Sequence, residues 1–512
     1  MAVTLPIRYS LLTAEASETT ENQKSSPIFC PYYDEGRTTR KLCILGLILS
    51  WCIAICFIVL GILNTTEGWV VPMCWEPGKD LLVLAQNVLI TCCNESLGYI
   101  HSVSLRWTLQ REGRLYFNSN LRLLQNTHST GPNAWYSNTV MTLAIVATYG
   151  ASSLTLCPMS SGDCIAFRIV GAAWIILGCS IAAQACVATW AICSQSGWPT
   201  WSSNMMDVAA ACIDQRTRPL SLRAGRAMQG IDLLGAPTFP TSPAVRQPSA
   251  YHSHRQARRI TWPNGVGVAL LSVYTCGLFI YPAKMGLAET FKYRQFWNPT
   301  GWSFPAVVIP LSDEGYQSAG AVGIFLAKDF AWIFALLCGI QSLVTFTLHL
   351  AELCIYTARD ETIWRKASKK TGQKRTSNAL LALLSSYQTA ILFLLKPFAH
   401  WLYGLTFVID IYNGVSLFAA PAFYLTIVVS VFLAFSLALM LWRHSGPQPT
   451  TFGHLQTLVD LIDTWPARRD RLHWGDKGAF VGHEAYDGHA EIRHAGTHWL
   501  PLPAVQMDKR YA

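Results

Sequence analysis

The chain alternates between long apolar runs and shorter polar segments. A helix needs about 20 mostly apolar residues to cross roughly 30 Å of hydrocarbon. Eight runs of that kind occur, at 42–63, 81–105, 138–157, 165–192, 264–283, 329–353, 379–397 and 415–442. The pattern therefore predicts an all-α fold: a polytopic helical transmembrane bundle of about eight spans.

The basic residues give an independent test of this topology. With eight crossings, 32 of the 39 Lys and Arg fall on the side of the amino terminus and four on the other. Because basic segments stay in the cytoplasm, both ends are predicted to be inside. The predicted parts are a cytoplasmic tail at 1–41, the bundle at 42–443 and a short cytoplasmic tail domain at 444–512. The run at 81–105 is the most polar, yet deleting it would export the basic residues that follow.

The seventh run is followed by a further apolar stretch that adds no crossing. Proline lacks a backbone N–H, so the helix is expected to bend or to end at Lys396-Pro397. We expect Phe398–Tyr412 to be an interfacial or a re-entrant segment, and the sequence leaves both open. A further span there would export the basic carboxyl-terminal tail.

Three polar segments complete the organisation. The 193–262 loop is rich in Pro, Ser, Gly and Arg and is predicted to be disordered. The 282–318 loop is aromatic and is predicted to lie outside. The tail contains a stretch with helical spacing at 454–465, and we expect it to dock beneath the bundle. The residues expected to dock it are Trp465, Trp474 and Trp499.

Composition agrees with a membrane protein. Charged residues make up 13% of the chain, against about 25% in soluble proteins. The 19 Trp suit membrane interfaces. The net charge of +9 comes from short runs between spans, so the predicted partner is the lipid bilayer and not nucleic acid. Protein partners are not indicated, and the sequence leaves plasma membrane and endomembrane open.

Ionisable groups within or beside spans are the candidates for function, because they are costly in a membrane. His349 and Glu352 are three apart and share a helix face, where they suit a proton relay, a cation site or a solvated inner helix end. Lys328 and Asp329 suit either an interfacial anchor or a gate. Lys396 and Asp410 flank the bent segment, where they suit either a pair across it or a structural role in holding the bend. The full set of candidates is Lys328, Asp329, His349, Glu352, Lys396 and Asp410.

Two candidate modifications lie on the predicted outer side. Cys157 and Cys164 bracket a short loop and are candidates for a disulfide, with Cys74 as an alternative partner. Asn64 begins an Asn-Thr-Thr glycosylation sequon. That sequon abuts the membrane, where an acceptor is poorly reached.

An arginine-rich segment follows the second span. Such a segment can lie along the inner leaflet, where each basic residue gains about 1 kcal/mol from anionic lipid. Arginines that serve only as topology signals give the same pattern. The predicted contacts with anionic inner-leaflet lipids are Arg106, Arg111, Arg114 and Arg122.

Two blocks carry a resemblance to a known group. The first is GYIHSVSLRW at 98–107 with REGRLYFNSNLRLL at 111–124; the second is FGHLQTL at 452–458 with WGDKG at 474–478 and RHAGT at 493–497. Together they resemble multi-pass membrane proteins of filamentous fungi that have no assigned function. The resemblance implies a fungal membrane protein and supplies no active residues.

Three classes of function are compatible with these features. The span count and the intramembrane charges favour a small-solute transporter or channel. The long cytoplasmic segments and the aromatic outer loop favour the alternative, a membrane receptor or scaffold without transport activity. A lipid-modifying enzyme is a third class that lacks any motif, so no enzyme activity, cofactor or metal is predicted.

Overall fold

Helices dominate the structure, a computed structural model that describes residues 33–73, 76–120, 125–128, 131–161, 164–195, 197–214, 218–223, 225–231, 240–284, 307–309, 327–374, 387–410, 414–465, 470–479 and 492–512. The helices in these ranges are α1 Arg37–Glu67, α2 Glu76–Glu112, α3 Trp135–Ser152, α4 Gly171–Ser194, α5 Met205–Ile213, α6 Ala250–Ser253, α7 Arg255–Lys284, α8 Ala327–Arg365, α9 Tyr387–Leu405, α10 Ala419–Leu441 and α11 Leu455–Leu461. A long helix overlaps each of the predicted runs.

Within the described ranges, six helices are long and apolar enough to cross a membrane: α1, α2, α4, α7, α8 and α10. The chain is therefore compatible with an integral membrane protein. The other two long helices, α3 and α9, are more polar because they carry residues such as Asn138, Thr148, Lys396 and His400. All four of these are buried, so the polar groups of α3 and α9 face neighbouring helices.

Close backbone contact joins α1 to α4. A Cβ atom added to Gly178 would lie 2.7 Å from the carbonyl oxygen of Ala54, and one on Gly171 would lie 2.6 Å from that of Gly61. Small residues at such crossings let two helix backbones approach closely, which is a common source of packing energy in membranes. Glycine is thus required at this interface by space and not by backbone conformation.

Strands occur as well, so the predicted all-α class was incomplete. They are β1 Val70–Met73, β2 Leu156–Ser161, β3 Cys164–Ile169, β4 Val307–Ile309, β5 Gln373–Lys374, β6 Phe407–Asp410, β7 Gly414–Leu417, β8 Arg471–Ala479, β9 Ile492–His498 and β10 Arg510–Tyr511. They form three small sheets with the orders β1-β3-β2, β4-β7-β6 and β10-β9-β8-β5. Pairing satisfies the backbone polar groups of the short connections between helices, which hydropathy does not reveal.

The proline in α9 does not end the helix. Pro397 lies inside Tyr387–Leu405, so of the two expected outcomes, a bend or an end of the helix, the end does not occur. Residues 398–405 continue the helix, and β6 follows as one arm of a hairpin with β7. The helix can continue because side chains, water and neighbouring helices can bond to the backbone carbonyl group that proline leaves without its N–H partner.

The 193–262 loop is ordered where the structure describes it, which contradicts the predicted disorder. Its helix α5 is buried, and the Asp207 side chain within it accepts hydrogen bonds from Asp34 N (3.1 Å) and Ser202 Oγ (2.8 Å). Farther along, Arg223 makes a two-point ion pair with Asp460 of α11. Composition predicts low hydrophobicity correctly but cannot reveal these long-range partners.

The carboxyl-terminal tail packs against the carboxyl-terminal end of α8. Trp474 of β8 is buried and lies edge-on to Trp364 of α8, with ring centroids 6.5 Å apart. Trp465 is partly buried against the core, whereas Trp499 is 49% exposed. Two of the three predicted tryptophans thus take part in docking. The 282–318 loop lies almost entirely outside the described residues, with β4 as the described part.

Candidate functional site

A buried group of charged side chains joins three helices inside the bundle. Lys396 Nζ of α9 donates to Glu95 Oε1 of α2 at 2.6 Å and to Glu352 Oε2 of α8 at 2.7 Å. On α8, His349 Nδ1 lies 3.3 Å from the same Glu352 oxygen. We call these four residues the charge cluster.

Burial makes the charge cluster energetically demanding. The side chains of Lys396 and Glu352 are 9% and 5% exposed, whereas that of Glu95 is 32% exposed. The cluster brings two carboxylates, one ammonium group and one imidazole together. Taking such groups out of water is expensive, so the attraction among them must offset a large desolvation cost. Glu95 is the member that remains most open to its surroundings.

The sequence identified three of the four members. The spacing of His349 and Glu352 predicted a shared helix face, and their 3.3 Å contact agrees with it. Lys396 was a candidate, but its expected partner was Asp410. Glu95 was missed because its contact is with a residue 301 positions away, and a lone carboxylate in a polar span gives no local signal of such a partner.

The remaining charged candidates lie elsewhere. Lys328 and Asp329 belong to the first turn of α8, and Asp410 ends β6 opposite Gly414. The side chains of these three candidates lie outside the described residues. Lys396 extends across the bundle to Glu95 and Glu352 on two other helices.

An aromatic and amide group lies beside the charge cluster. His400, one turn after Lys396, stacks on Tyr149 of α3 with ring centroids 3.5 Å apart and planes at 9°. His400 Nδ1 also lies 2.5 Å from Gln341 Nε2 of α8. The Tyr149 hydroxyl contacts Thr91 Oγ1, which lies one turn before Glu95 on α2, at 3.2 Å.

A second amide group adjoins the other side of α2. Gln184 Nε2 of α4 donates to Asn94 Oδ1 at 3.1 Å and to Thr148 Oγ1 of α3 at 3.2 Å. Asn94 precedes Glu95, and Thr148 precedes Tyr149. The carbonyl oxygens of Gln184 and Gln341 are both buried and have no hydrogen-bond partner among the described residues. Each such oxygen costs about 1–3 kcal/mol unless a ligand or water satisfies it.

The carboxyl-terminal end of α8 is tied to both of the sequence blocks at 98–124 and 452–497. Glu361 Oε2 accepts from the backbone N–H groups of Thr451 and Phe452 at 2.8 and 2.9 Å. The Asn118 N–H donates to Gly453 O at 2.9 Å. We call residues 450–454 the strap. The strap links the first block, which contains Asn118, to the helix that carries Glu352.

A histidine supports the strap from α6. Phe117, the neighbour of Asn118, packs against His254 with ring centroids 4.6 Å apart and planes tilted by 31°, and it meets His454 edge-on at 5.0 Å. Burial, with a smaller effect of Arg258, lowers the pKa of His254 to about 4. His254 is therefore neutral near pH 7 and packs as an apolar ring.

A second network of charges lies in the tail. Asp463 Oδ2 accepts from Lys477 Nζ at 2.6 Å and contacts His494 Nε2 at 3.0 Å, while Asp463 Oδ1 accepts from Thr497 N at 2.7 Å. Burial opposes ionisation of Asp463, but the hydrogen bonds from His494 and Lys477 outweigh it and lower its pKa. Burial also opposes charge on His494, but Asp463 raises its pKa overall. These contacts hold β8 and β9 to the 463–464 turn.

The predicted lipid-facing arginines separate into different environments. Arg106 is 5% exposed and donates to Ser202 O at 2.9 Å, so its prediction as a lipid contact was wrong. Arg106 lies near the carboxyl-terminal end of α2, where the 197–214 segment covers its side chain. Arg111 is exposed, Arg114 pairs with Glu112 at 2.9 Å, and Arg122 lies outside the described residues.

The strand register excludes the predicted disulfide. Cys157 is opposite Arg168 and Cys164 is opposite Ser161, so the two cysteines are four register positions apart. That is about 13 Å at 3.3 Å per residue, beyond the limit of about 7 Å between the Cα atoms of a disulfide. The alternative partner, Cys74, lies outside the described residues.

The Asn64 side chain makes hydrogen bonds within the protein. Its side-chain amide donates to Ile169 O at 2.7 Å and its oxygen accepts from Trp69 N at 2.7 Å. The residue is 3% exposed. The burial of Asn64 agrees with the expectation that this sequon is poorly reached, because a glycan would displace contacts that join the end of α1 to β3.

Comparison with known proteins gives no further assignment: no family model, curated protein or solved structure matches the chain. Across the described ranges, no group of three or more His, Cys, Asp or Glu is placed to hold a metal ion. The argument for function therefore depends on the charge cluster and its neighbours.

Proposed function

We propose that this protein is an ion-coupled transporter of a small solute and that the charge cluster is its coupling site. The observation that carries the proposal is the contact of Lys396 with carboxylates on two other helices, 2.6 Å from Glu95 and 2.7 Å from Glu352. A group that bridges helices in this way can change their relative positions when its charge state changes.

The cost of the cluster supports transport over a purely structural role. Apolar residues of similar volume stabilise a buried site as well as an ion pair does, or better. Ionisable residues inside membrane bundles typically mark ion pathways and proton relays. A scaffold requires no such group, whereas a coupled transporter requires a site that gains and loses charge.

The coupling step we propose is a proton exchange. The two carboxylates share one ammonium group, and each of them can accept a proton. A proton added to Glu352 would weaken its attraction for Lys396, and Lys396 would stay with Glu95. Release of that proton to the other side would restore the contact. His349, which touches the same Glu352 oxygen, is the residue we propose to pass the proton.

We further propose eight crossings with both ends in the cytoplasm. Six helices meet the requirement by length and hydropathy; α3 and α9 would add two crossings whose polar residues face the bundle. The distribution of Lys and Arg supports this orientation. On it, the strap side is cytoplasmic, and Arg111 is a candidate contact with anionic lipid.

The similarity to fungal multi-pass membrane proteins remains part of the proposal. It is based on the residues of the two sequence blocks alone. No enzymatic activity is proposed, and the choice between plasma membrane and endomembrane stays open.

A receptor or scaffold is the second candidate. The observation that favours it is the ordered assembly of α5, α11 and the tail sheet at the inner helix ends, which offers more folded surface than transport requires. In that case the charge cluster would fix the helix arrangement and would not change its protonation.

A pH jump tests the proposal without knowledge of the solute. Purified protein is reconstituted in liposomes on a solid-supported membrane, and the transient current after a step in pH is recorded. We expect a current in the wild type that is lost in Glu352→Gln and Lys396→Met. It should persist in Lys369→Met, a matched change at an exposed lysine. Equal currents in all four proteins, or none above that of empty liposomes, would reject proton coupling.

A further inference from the structure

Exposed arginines collect where α7 begins and α10 ends. We call this surface the basic collar; it consists of Arg246, Arg255, Arg258, Arg259 and Arg443. We propose that the basic collar binds the headgroup of an anionic phospholipid and that a headgroup with several phosphates binds it most tightly. The inference requires that the apolar helices cross a membrane, but it does not depend on transport.

The two helices that carry the basic collar pack side by side in opposite directions. Near their middles, Thr275 Oγ1 of α7 lies 2.7 Å from Thr426 Oγ1 of α10. At one end, Ala257 of α7 and Met440 of α10 belong to the same buried cluster, which also contains Phe452 of the strap. The start of α7 and the end of α10 therefore lie together on the strap side.

Arginines of both helices lie at the same height. Arg258 is 17 residues before Thr275, and Arg443 is 17 residues after Thr426. At 1.5 Å per residue, each is about 25 Å along the helix axis from the contact between the two threonines. The two guanidinium groups are thus placed at one level on neighbouring helices.

A short backbone bridge adds Arg246 to the same surface. Gln247 N donates to His444 O at 2.9 Å, and Gly446 N donates to Val245 O at 2.9 Å. These bonds hold Arg246 beside the segment that begins at Arg443.

The protein leaves the charge of the basic collar unneutralised. Within the described ranges, none of its five arginines makes an ion pair or a side-chain hydrogen bond. Residues 240–284 and 419–459 include no Asp or Glu. Glu361 of α8 acts on His444, but its carboxylate is buried and bound to the strap and to Arg365.

This charge and its geometry suit phosphate groups. A guanidinium group binds phosphate oxygens through two parallel N–H bonds, which an ammonium group cannot do. Five exposed arginines without local carboxylates match a headgroup with several negative charges better than one with a single charge. Basic sites between membrane helices typically bind headgroups of this kind.

Two tryptophans place the basic collar at the depth of lipid headgroups. Trp262 and Trp442 are 73% and 64% exposed, and tryptophan is typical of the boundary between hydrocarbon and headgroups. From Trp262 to the end of α7 at Lys284 is 22 residues. That is about 33 Å, close to the thickness of the hydrocarbon layer. Arg443, directly after Trp442, is therefore at the level of phosphate.

An apolar stripe below the basic collar favours a lipid over a soluble anion. Trp262 lies one turn after Arg258, and the exposed side chains of Val266, Leu270 and Val273 follow it at helical spacing. Acyl chains can lie along this stripe while the headgroup contacts the arginines. A soluble anion has no group that would use it.

A comparison of lipids tests the proposal in the wild type. Native mass spectrometry of the detergent-purified protein measures the binding of each added lipid. We expect phosphatidylinositol bisphosphate to bind at least about tenfold more tightly than phosphatidylglycerol, a change equivalent to about 1.4 kcal/mol, and phosphatidylcholine more weakly still. Inositol trisphosphate, which lacks acyl chains, should also bind at least about tenfold more weakly. Equal binding of all three lipids would overturn the proposal, and inositol trisphosphate that binds as tightly as the lipid would assign the surface to a soluble anion.

Paired variants locate the site. Arg258→Gln/Arg443→Gln removes one charge from each helix and should weaken binding of phosphatidylinositol bisphosphate at least about tenfold. Arg40→Gln/Lys41→Gln is the matched control, because it removes two exposed charges at the start of α1, and it should leave binding unchanged. Equal losses in both double variants would show attraction by general charge and overturn the assignment to the basic collar.

Two features keep this test conclusive. If the first double variant does not fold, Arg246→Gln/Arg259→Gln removes two other charges of the basic collar and should have the same effect. Lipid binding is measured without transport, so its outcome is independent of the pH-jump current.

Discussion

Asn118 Nδ2 donates a 2.8 Å hydrogen bond to Asp360 Oδ2, across 242 positions of the sequence. The Asp360 carboxylate is fully buried, and Gly453 of the strap lies close enough that an added Cβ would stand 2.8 Å from Asp360 Oδ2. One polar contact therefore joins the first block, the strap and the carboxyl-terminal end of α8.

The strap should depend on Glu361. In Glu361→Ala, the N–H groups of Thr451 and Phe452 lose their carboxylate acceptor, and each hydrogen bond to a charged group contributes about 1.5–3 kcal/mol. We expect faster amide exchange over 448–455 by hydrogen–deuterium mass spectrometry. Glu35→Ala, which removes an exposed pair with Arg37, is the control. Unchanged protection of the strap in Glu361→Ala would mean that the carboxylate does not hold it.

Removal of the central ammonium should destabilise the bundle. Lys396→Met removes the ammonium group that Glu95 and Glu352 share, and breaking a buried pair typically costs about 3–5 kcal/mol. The double variant Lys396→Met/Glu352→Gln should recover part of that loss, because one of the charges is then gone. Denaturant unfolding in micelles measures both. A double variant less stable than Lys396→Met would contradict this electrostatic account.

Close packing of α1 on α4 should make Gly178 intolerant of a side chain. A Cβ there would meet Ala54 O at 2.7 Å, so Gly178→Ala must separate the helices and should lower the unfolding temperature. Gly277→Ala in α7 is the matched control, since nothing lies within 4 Å of its added Cβ. It should be neutral or stabilising by up to about 1 kcal/mol, because glycine weakens a helix interior. The same shift in both variants would exclude a packing cause.

The tail should loosen as pH rises. The pKa of His494 is raised above its ordinary value of 6.5 in the folded protein, so its contribution to stability is complete below 6.5 and is lost as pH passes the raised pKa. Asp463, whose pKa is lowered from 3.8, contributes above that value and loses its effect only as pH falls through the lowered pKa. Amide exchange over 492–498 should therefore increase in excess of its intrinsic pH dependence between pH 6 and 9.

The matched histidine variants check this assignment. His494→Gln should flatten the excess pH dependence, because the titrating partner of Asp463 is gone. His128→Gln, at an exposed histidine, should preserve it. Retention of the full dependence in His494→Gln would assign it to another group.

Hydropathy and local spacing predicted the long helices and the contact of His349 with Glu352, because both depend on residues a few positions apart. The partner of Lys396 could not be predicted in this way: whether it pairs with Asp410 or Glu95 depends on how α2 and α9 pack. The same holds for Arg106, whose basic charge predicted lipid contact but whose position under the 197–214 segment buries it. The helix end that Pro397 suggested does not occur for another reason: a packed helix tolerates the loss of one backbone hydrogen bond.

The length of α8 has a consequence for how the protein could be observed. Glu352 and Glu361 lie nine residues apart on one continuous helix, a separation of about 14 Å at 1.5 Å per residue. Because that helix is stiff, a rotation that withdraws Glu352 from Lys396 also turns Glu361 against the strap. The position of the strap would then change with the contact between Glu352 and Lys396, and a fluorophore near residue 450 would report on that contact.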